Sequence, residues 1–171
     1  MNIGEVAEII ENIAEGFEDA CLNCLRENAD TVYICITEQL FAGLDGNGDY
    51  LEPSYDNDDF FDEPGFWYHR SDDYKNWKLA ITPPHPSWEL GLDSRPESIP
   101  NLFIDGTFYS EIRVADCADG LTIDPGSGNG PAIIEKYGEQ ILWLGNRAVD
   151  YFNQEKMLPA IAKFFSDCGY R

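Results

Sequence analysis

The first 27 residues constrain this chain more than any other stretch. Val6, Ile9, Ile10, Ile13, Phe17, Cys21 and Cys24 recur at steps of three and four, the spacing that gathers side chains on one face of an α-helix. Glu8, Glu11, Glu15 and Glu18 recur at the same steps on the opposite face. The pattern predicts a helix over 3–27 with one apolar stripe and one acidic stripe. Like charges one turn apart repel by a few tenths of a kcal/mol per pair, so burial of the apolar stripe has to outweigh them. TVYICITEQLF, residues 31–41, has the β-branched content of a strand. The spacing of Val32, Cys35, Ile36 and Leu40 instead continues the helix. The expectation is one long helix over about 3–42, irregular near Asn28–Asp30 and stopped by Gly43. At about 1.5 Å per residue it would be nearly 60 Å long, and a helix of that length in a small domain packs against something else along part of it.

The remainder is less periodic. Residues 43–100 read as a long loop insertion, and residues 43–64 hold eight acidic side chains and no basic one. Phe60, Phe61, Phe66, Trp67, Tyr68, Tyr74, Trp77 and Trp88 all fall between 55 and 100. That many aromatics cannot all be solvated, so the segment packs on its own domain or on a neighbouring subunit. Asp72–Leu79 suggests a short helix capped by Asp72 or Asp73 and ended by Pro83, Pro84 and Pro86. A β-hairpin is expected over about 101–124, from the strand propensity of Leu102, Ile104, Phe108, Ile112 and Val114 and the Asp119-Gly120 turn. Residues 131–137 suggest a short helix. C-terminal helices are expected within 147–168, over 147–157 and 159–167, with Pro159 in a first turn and Gly169 as the stop. No repeat, linker or low-complexity tract divides the 171 residues, so 1–171 reads as one α+β domain.

Charge narrows the function. There are 32 acidic and 11 basic side chains, a formal net charge of −21. Such a surface lacks the cations needed to grip nucleic acid phosphates or anionic membranes. It favours solubility and attracts basic partners. The N-terminus has neither the basic segment nor the unbroken apolar run of a signal peptide, and no stretch approaches a membrane span, so a soluble protein made in a cytoplasm is expected. Five cysteines, an odd number at irregular spacing, suit reduced thiols. Cys21 and Cys24 form a CxxC pair, but both fall on the apolar helix face and read as small buried hydrophobes.

Chemistry is sparse. Asp45, Asn47 and Asp49 stand at alternate positions, as at the start of a calcium loop, and are the residues that would ligate a cation. Tyr50 stands where that loop needs glycine, and Asp56 where it needs a bidentate glutamate, so the stretch reads as a solvated hairpin or loop tip. Pro125–Pro131 is glycine-rich but lacks the lysine of a phosphate cradle. No hydrolase, metalloprotease or phosphate-binding motif is present, and among so many carboxylates no pair is singled out. No catalytic residue, cofactor or enzymatic activity is expected.

The order of short motifs suggests a family. QLFAGLDGNGDYLEPSY (39–55) follows the helix, then NWKLAITP (76–83), PNLFIDGTFYSEIRV (100–114) and EKYGEQILWLGNRAVDYF (135–152). This order resembles the small virion morphogenesis proteins of tailed bacteriophages, the tail-completion or head–tail joining (neck) proteins. Gly43, Asp45 and Gly48 match the family's first turn. Asp105-Gly106-Thr107 with Ser110-Glu111-Ile112 matches its second, and Ile141–Gly145 matches the third with the glycine and leucine order altered. The NWKLAITP insertion departs from the family pattern. The resemblance, over about residues 30–165, implies a structural ring subunit of six or twelve copies in the virion, assembled in the host cytoplasm. Its partners would be portal, neck or tail proteins, with no specific nucleic acid binding and no membrane. Trp67, Tyr68, Trp77 and Trp88 are then candidate subunit contacts, and Glu8, Glu11, Glu15, Glu18, Asp56, Asp58 and Asp59 a candidate DNA-repelling acidic surface. The competing reading of the same charge is an acidic DNA mimic that inhibits a nucleic-acid-binding enzyme.

Overall fold

The computed structural model describes residues 2–170. The architecture is α+β: a long N-terminal helix, a two-stranded antiparallel sheet, C-terminal helices and an aromatic-rich irregular segment. Helix α1 runs Ile3–Glu27. Its start is set by a capping box, in which the Asn2 side chain accepts from Glu5 N (2.9 Å) and the Glu5 carboxylate accepts from Asn2 N (2.8 Å). Helix α2 runs Ala29–Phe41. The single helix expected over 3–42 is therefore two, divided at Asn28 with φ −117° and ψ 28°. The Asn28 amide donates to Cys24 O at 2.8 Å, which shows how a short polar side chain competes with the backbone ladder. Gly43, at φ +71°, ends the run as expected. A side chain there would strike Ile99, whose Cγ2 lies 2.5 Å from the position of a Cβ.

Helix α2 is the post of the core. Val32, Cys35, Ile36 and Leu40 are buried along it, joined by Leu51, Phe108, Ile112, Ile141, Leu142 and Phe152 from later segments. Gln39 is buried too. It donates to Trp143 O (3.0 Å) and accepts from Gly145 N (2.8 Å), tying the 139–145 segment to α2.

The expected hairpin is shorter than its range. Strands β1 (Arg113–Cys117) and β2 (Gly120–Asp124) pair antiparallel, with Val114 opposite Ile123 and the turn at Ala118–Asp119. Arg26 at the end of α1 donates to Cys117 O and Ala118 O, both at 3.2 Å, and clamps that turn. Residues 101–112 are not strand. Asp105 accepts from Thr107 N (2.9 Å) and Gly106 sits at φ +86°, so the chain turns into a five-residue helix, α4 (Thr107–Glu111). Phe108, Tyr109 and Ile112 then all point inward, a helical pattern that β propensity hides.

In the middle third, α3 spans Ser71–Ile81, wider than expected, and no side chain of Asp72 or Asp73 caps it. At the C-terminus, α5 (Gly130–Tyr137) precedes α6 (Asn146–Phe152), which passes through a π-helical turn (Asn153–Met157) into α7 (Leu158–Asp167). The two helices expected over 147–157 and 159–167 are one helical run. Pro159 lacks the amide that would bond back one turn, and the wider turn absorbs that gap. Helix α7 packs back on α1, where Phe17 meets Phe164 and Phe165 at ring distances of 6.5 and 6.1 Å.

The irregular segment between α2 and α4 is held by two buried cations. Lys78 is 1% exposed and donates to Asn101 Oδ1 (2.9 Å) and Phe103 O. Arg95 is 2% exposed and donates to Ile99 O (2.8 Å) and Thr82 O (2.9 Å). Tyr109 Oη donates to Asn101 O at 2.6 Å. Burial, helped by the nearby Arg95 charge, pushes the Lys78 amine down to about 8 from 10.5. Between those pH values the unfolded chain binds the proton and the folded chain does not, so this group makes stability rise with pH across that window. Below about pH 8 both states are protonated and the group contributes no slope. Urea unfolding of the wild type and of Lys78→Met should therefore diverge between pH 7 and pH 10. The wild type is expected to gain on the order of 2 kcal/mol relative to the variant. A constant difference across that range would mean that the Lys78 amine keeps its ordinary pKa in the fold and stays protonated throughout.

Candidate functional site

Three surface features come from these elements. The first is the outer end of α1. Helix α7 covers α1 around Phe17, and its end reaches Ile9, which Gly169 approaches. Ile3 and Ile10 are left 89% and 62% exposed, with Val6 exposed beside them. On the opposite face Glu8, Glu11, Glu15 and Glu18 are exposed, and none joins an ion pair among the described residues.

The second is the acidic, aromatic segment. Asp59 faces solvent, but Asp56 and Asp58 are paired. Asp56 meets Lys75 Nζ at 2.7 Å, and this contact, with Asp72, raises the Lys75 pKa. Asp58 has a side chain only 9% exposed, meets Lys136 Nζ at 2.5 Å and accepts from Phe60 N at 3.0 Å. Trp67 and Trp77 stack 5.6 Å apart and both meet Tyr74, at 5.1 and 5.3 Å. Arg70 covers Phe66 and Trp67. Trp67, Tyr74 and Trp77 pack on one another within the domain, half-buried, while Phe66 stays exposed. Tyr68 lies exposed against His69. Of the four candidate contacts, then, the structure brings Trp67 and Trp77 together and leaves Tyr68 and Trp88 outside that cluster.

The third is a cavity of about 230 Å³ under Trp88. Glu38, on α2, accepts from the amides of Trp88, Glu89 and Leu90 at 3.0–3.2 Å. Leu90 is buried, and Ser87 and Leu92 close the loop with two further bonds of 2.9 and 2.8 Å. Trp88 is thus held out at 85% exposure on a fixed turn. Phe41, His85 and Phe103 form the adjoining wall. Nothing local in the sequence links Glu38 to residues 88–90, fifty positions away. The only sequence signal was an aromatic between prolines.

Asp45 Oδ1 accepts from the backbone amides of Asn47 (2.8 Å) and Asp49 (3.1 Å). With Leu44 bridged to Tyr50, Asp45 closes a small hairpin tip. Among the described residues no three His, Cys, Asp or Glu side chains stand together as a metal site. Cys24 is buried, which raises its thiol pKa, and Cys21 lies half-buried on the same helix. No described helix is long and apolar enough to cross a membrane. Compared with known proteins, the chain matches no family model, no curated protein and no solved structure.

Glu38 is the organising residue of the third surface. Glu38→Ala leaves three amides without their acceptor, a loss of about 2 kcal/mol. The expected result is lower unfolding stability together with faster hydrogen exchange confined to residues 88–90. Unchanged exchange there would mean that burial of Leu90 alone holds the loop.

Proposed function

We propose that this chain is a structural subunit of a tailed-phage virion: a neck or tail-completion protein that forms a ring between portal and tail. The observation that carries the reading is the two-faced end of α1. Ile3, Val6 and Ile10 are exposed on one face, and Glu8, Glu11, Glu15 and Glu18 on the other. An uncovered apolar stripe is suited to a neighbouring subunit. An unpaired acidic stripe repels a passing duplex, because phosphate contacts are what supply non-specific DNA affinity. No residue is assigned a catalytic role. In this reading the ring has six or twelve copies and is assembled in the host cytoplasm. The order of motifs at 43–48, 100–114 and 135–145 is the reason for preferring this family.

A second reading has one observation in its favour. Lys78 and Arg95, two of the eleven basic side chains, are buried, and Lys75 and Lys136 are engaged by aspartates. The outer surface is correspondingly more anionic, as an acidic DNA mimic requires. Light scattering and negative-stain imaging separate the two. The ring reading expects concentration-dependent closed oligomers that Ile10→Glu returns to monomers. A monomer at every concentration, alone and with a portal protein, overturns it. A salt-sensitive complex of fixed stoichiometry with a nuclease would then support the mimic.

A further inference from the structure

We propose that the cavity under Trp88 is an aromatic cage for a cationic side chain, lysine or arginine, presented by a partner protein. Its walls are rings: Phe41 and His85 lie 4.6 Å apart, His85 and Trp88 5.9 Å, and Phe41 and Phe103 6.3 Å. Tyr109 adds a further ring from below, 5.2 Å from Phe103. A cation gains from the faces of such rings, and a tryptophan face gives the most. Among the described residues Glu38 is the only carboxylate in the wall, and no Lys or Arg lines the cavity. The four hydrogen-bond contacts that Glu38 accepts come from neutral amides, so its negative charge is not cancelled by a partner cation. Glu89, beside it, accepts from Tyr151 Oη at 2.7 Å and is likewise uncompensated by a cation.

The display of Trp88 points the same way. An indole left 85% in water gains nothing from burial in the monomer. The loop that carries it is nonetheless fixed by Glu38, by the Ser87–Leu92 bonds and by buried Leu90. Exposed tryptophan on a fixed support is the form of an interface anchor, since little ordering is needed on binding. The net charge of the whole chain, −21, favours an occupant of positive sign. This site does not depend on ring formation, and a chain that never forms rings would leave it standing.

The test uses a short acetylated peptide with one arginine between glycines, and its twin with citrulline, the uncharged isostere. Titration is followed by the NMR signals of the four tryptophan indoles, with Trp88→Ala identifying the signal of Trp88. The arginine peptide is expected to shift the Trp88 indole saturably, and the citrulline peptide is not. Trp88→Ala should weaken binding about tenfold, the scale of a desolvated cation–π contact, while Trp88→Phe retains most of it. Because the side chain is exposed, Trp88→Ala is expected to fold normally, and Glu8→Gln/Glu11→Gln/Glu15→Gln on the far face should leave the affinity unchanged. Equal binding of the two peptides, an unchanged affinity in Trp88→Ala, or a loss produced only by the α1 substitutions would overturn the proposal.

Discussion

The buried pair Lys78 and Arg95 is the constraint on which the rest of the structure depends. From Gly43 to Gly106 the chain has almost no sheet and one substantial helix, so its backbone carbonyls lack the usual ladder partners. The two cations supply donors in place of that ladder. Lys78 reaches across to Asn101 and Phe103, and Arg95 to Thr82 and Ile99. Burial of an ionic group without a carboxylate is unfavourable by itself. Here the cost is offset by tying three loop segments to one another and, through Tyr109, to the core around α2.

That interior arrangement also shapes the outside. A chain with few basic residues places two of them where solvent and partners cannot reach. Asp56 and Asp58 take up two more at the edge of the aromatic cluster. What remains exposed is an acidic helix face, an apolar helix end and a tryptophan on a braced loop. All three lie on elements whose own positions are fixed by α2: α1 through the hairpin and α7, and the Trp88 loop through Glu38.

Much of the fold could be read from periodicity. The α1 stripe, the Gly43 stop, a tight hairpin turn one residue earlier than the expected Asp119-Gly120 pair, and the C-terminal helices all rest on contacts within a few residues, where spacing and turn chemistry decide the outcome. The misreadings share a cause: a short polar side chain bonding to nearby backbone, a competition that propensity and spacing do not register. Asn28 breaks the helix by bonding to Cys24, one turn back; the sequence marked the place without deciding between distortion and a break. Over 101–112, β-branched and aromatic residues suggested strand, yet the Asx turn at Asp105 and the inward positions of Phe108, Tyr109 and Ile112 made a helical turn. The site was less legible still. Trp67, Tyr68, Trp77 and Trp88 look equivalent as aromatic letters, and only packing separates Trp67 and Trp77, which stack together, from Tyr68 and Trp88, which are left exposed.

The sequence by itself determined the α+β class, the two-faced first helix and an overwhelmingly anionic surface, because these follow from composition and from spacings of three and four residues. The tertiary structure alone decided which charges are hidden or paired and which aromatics are displayed. The reason is distance along the chain: Lys78 meets Asn101, Asp58 meets Lys136 and Glu38 meets residues 88–90. Contacts between positions 23 to 78 residues apart leave no periodic trace in the sequence, and they are the ones that set the surface a partner would meet.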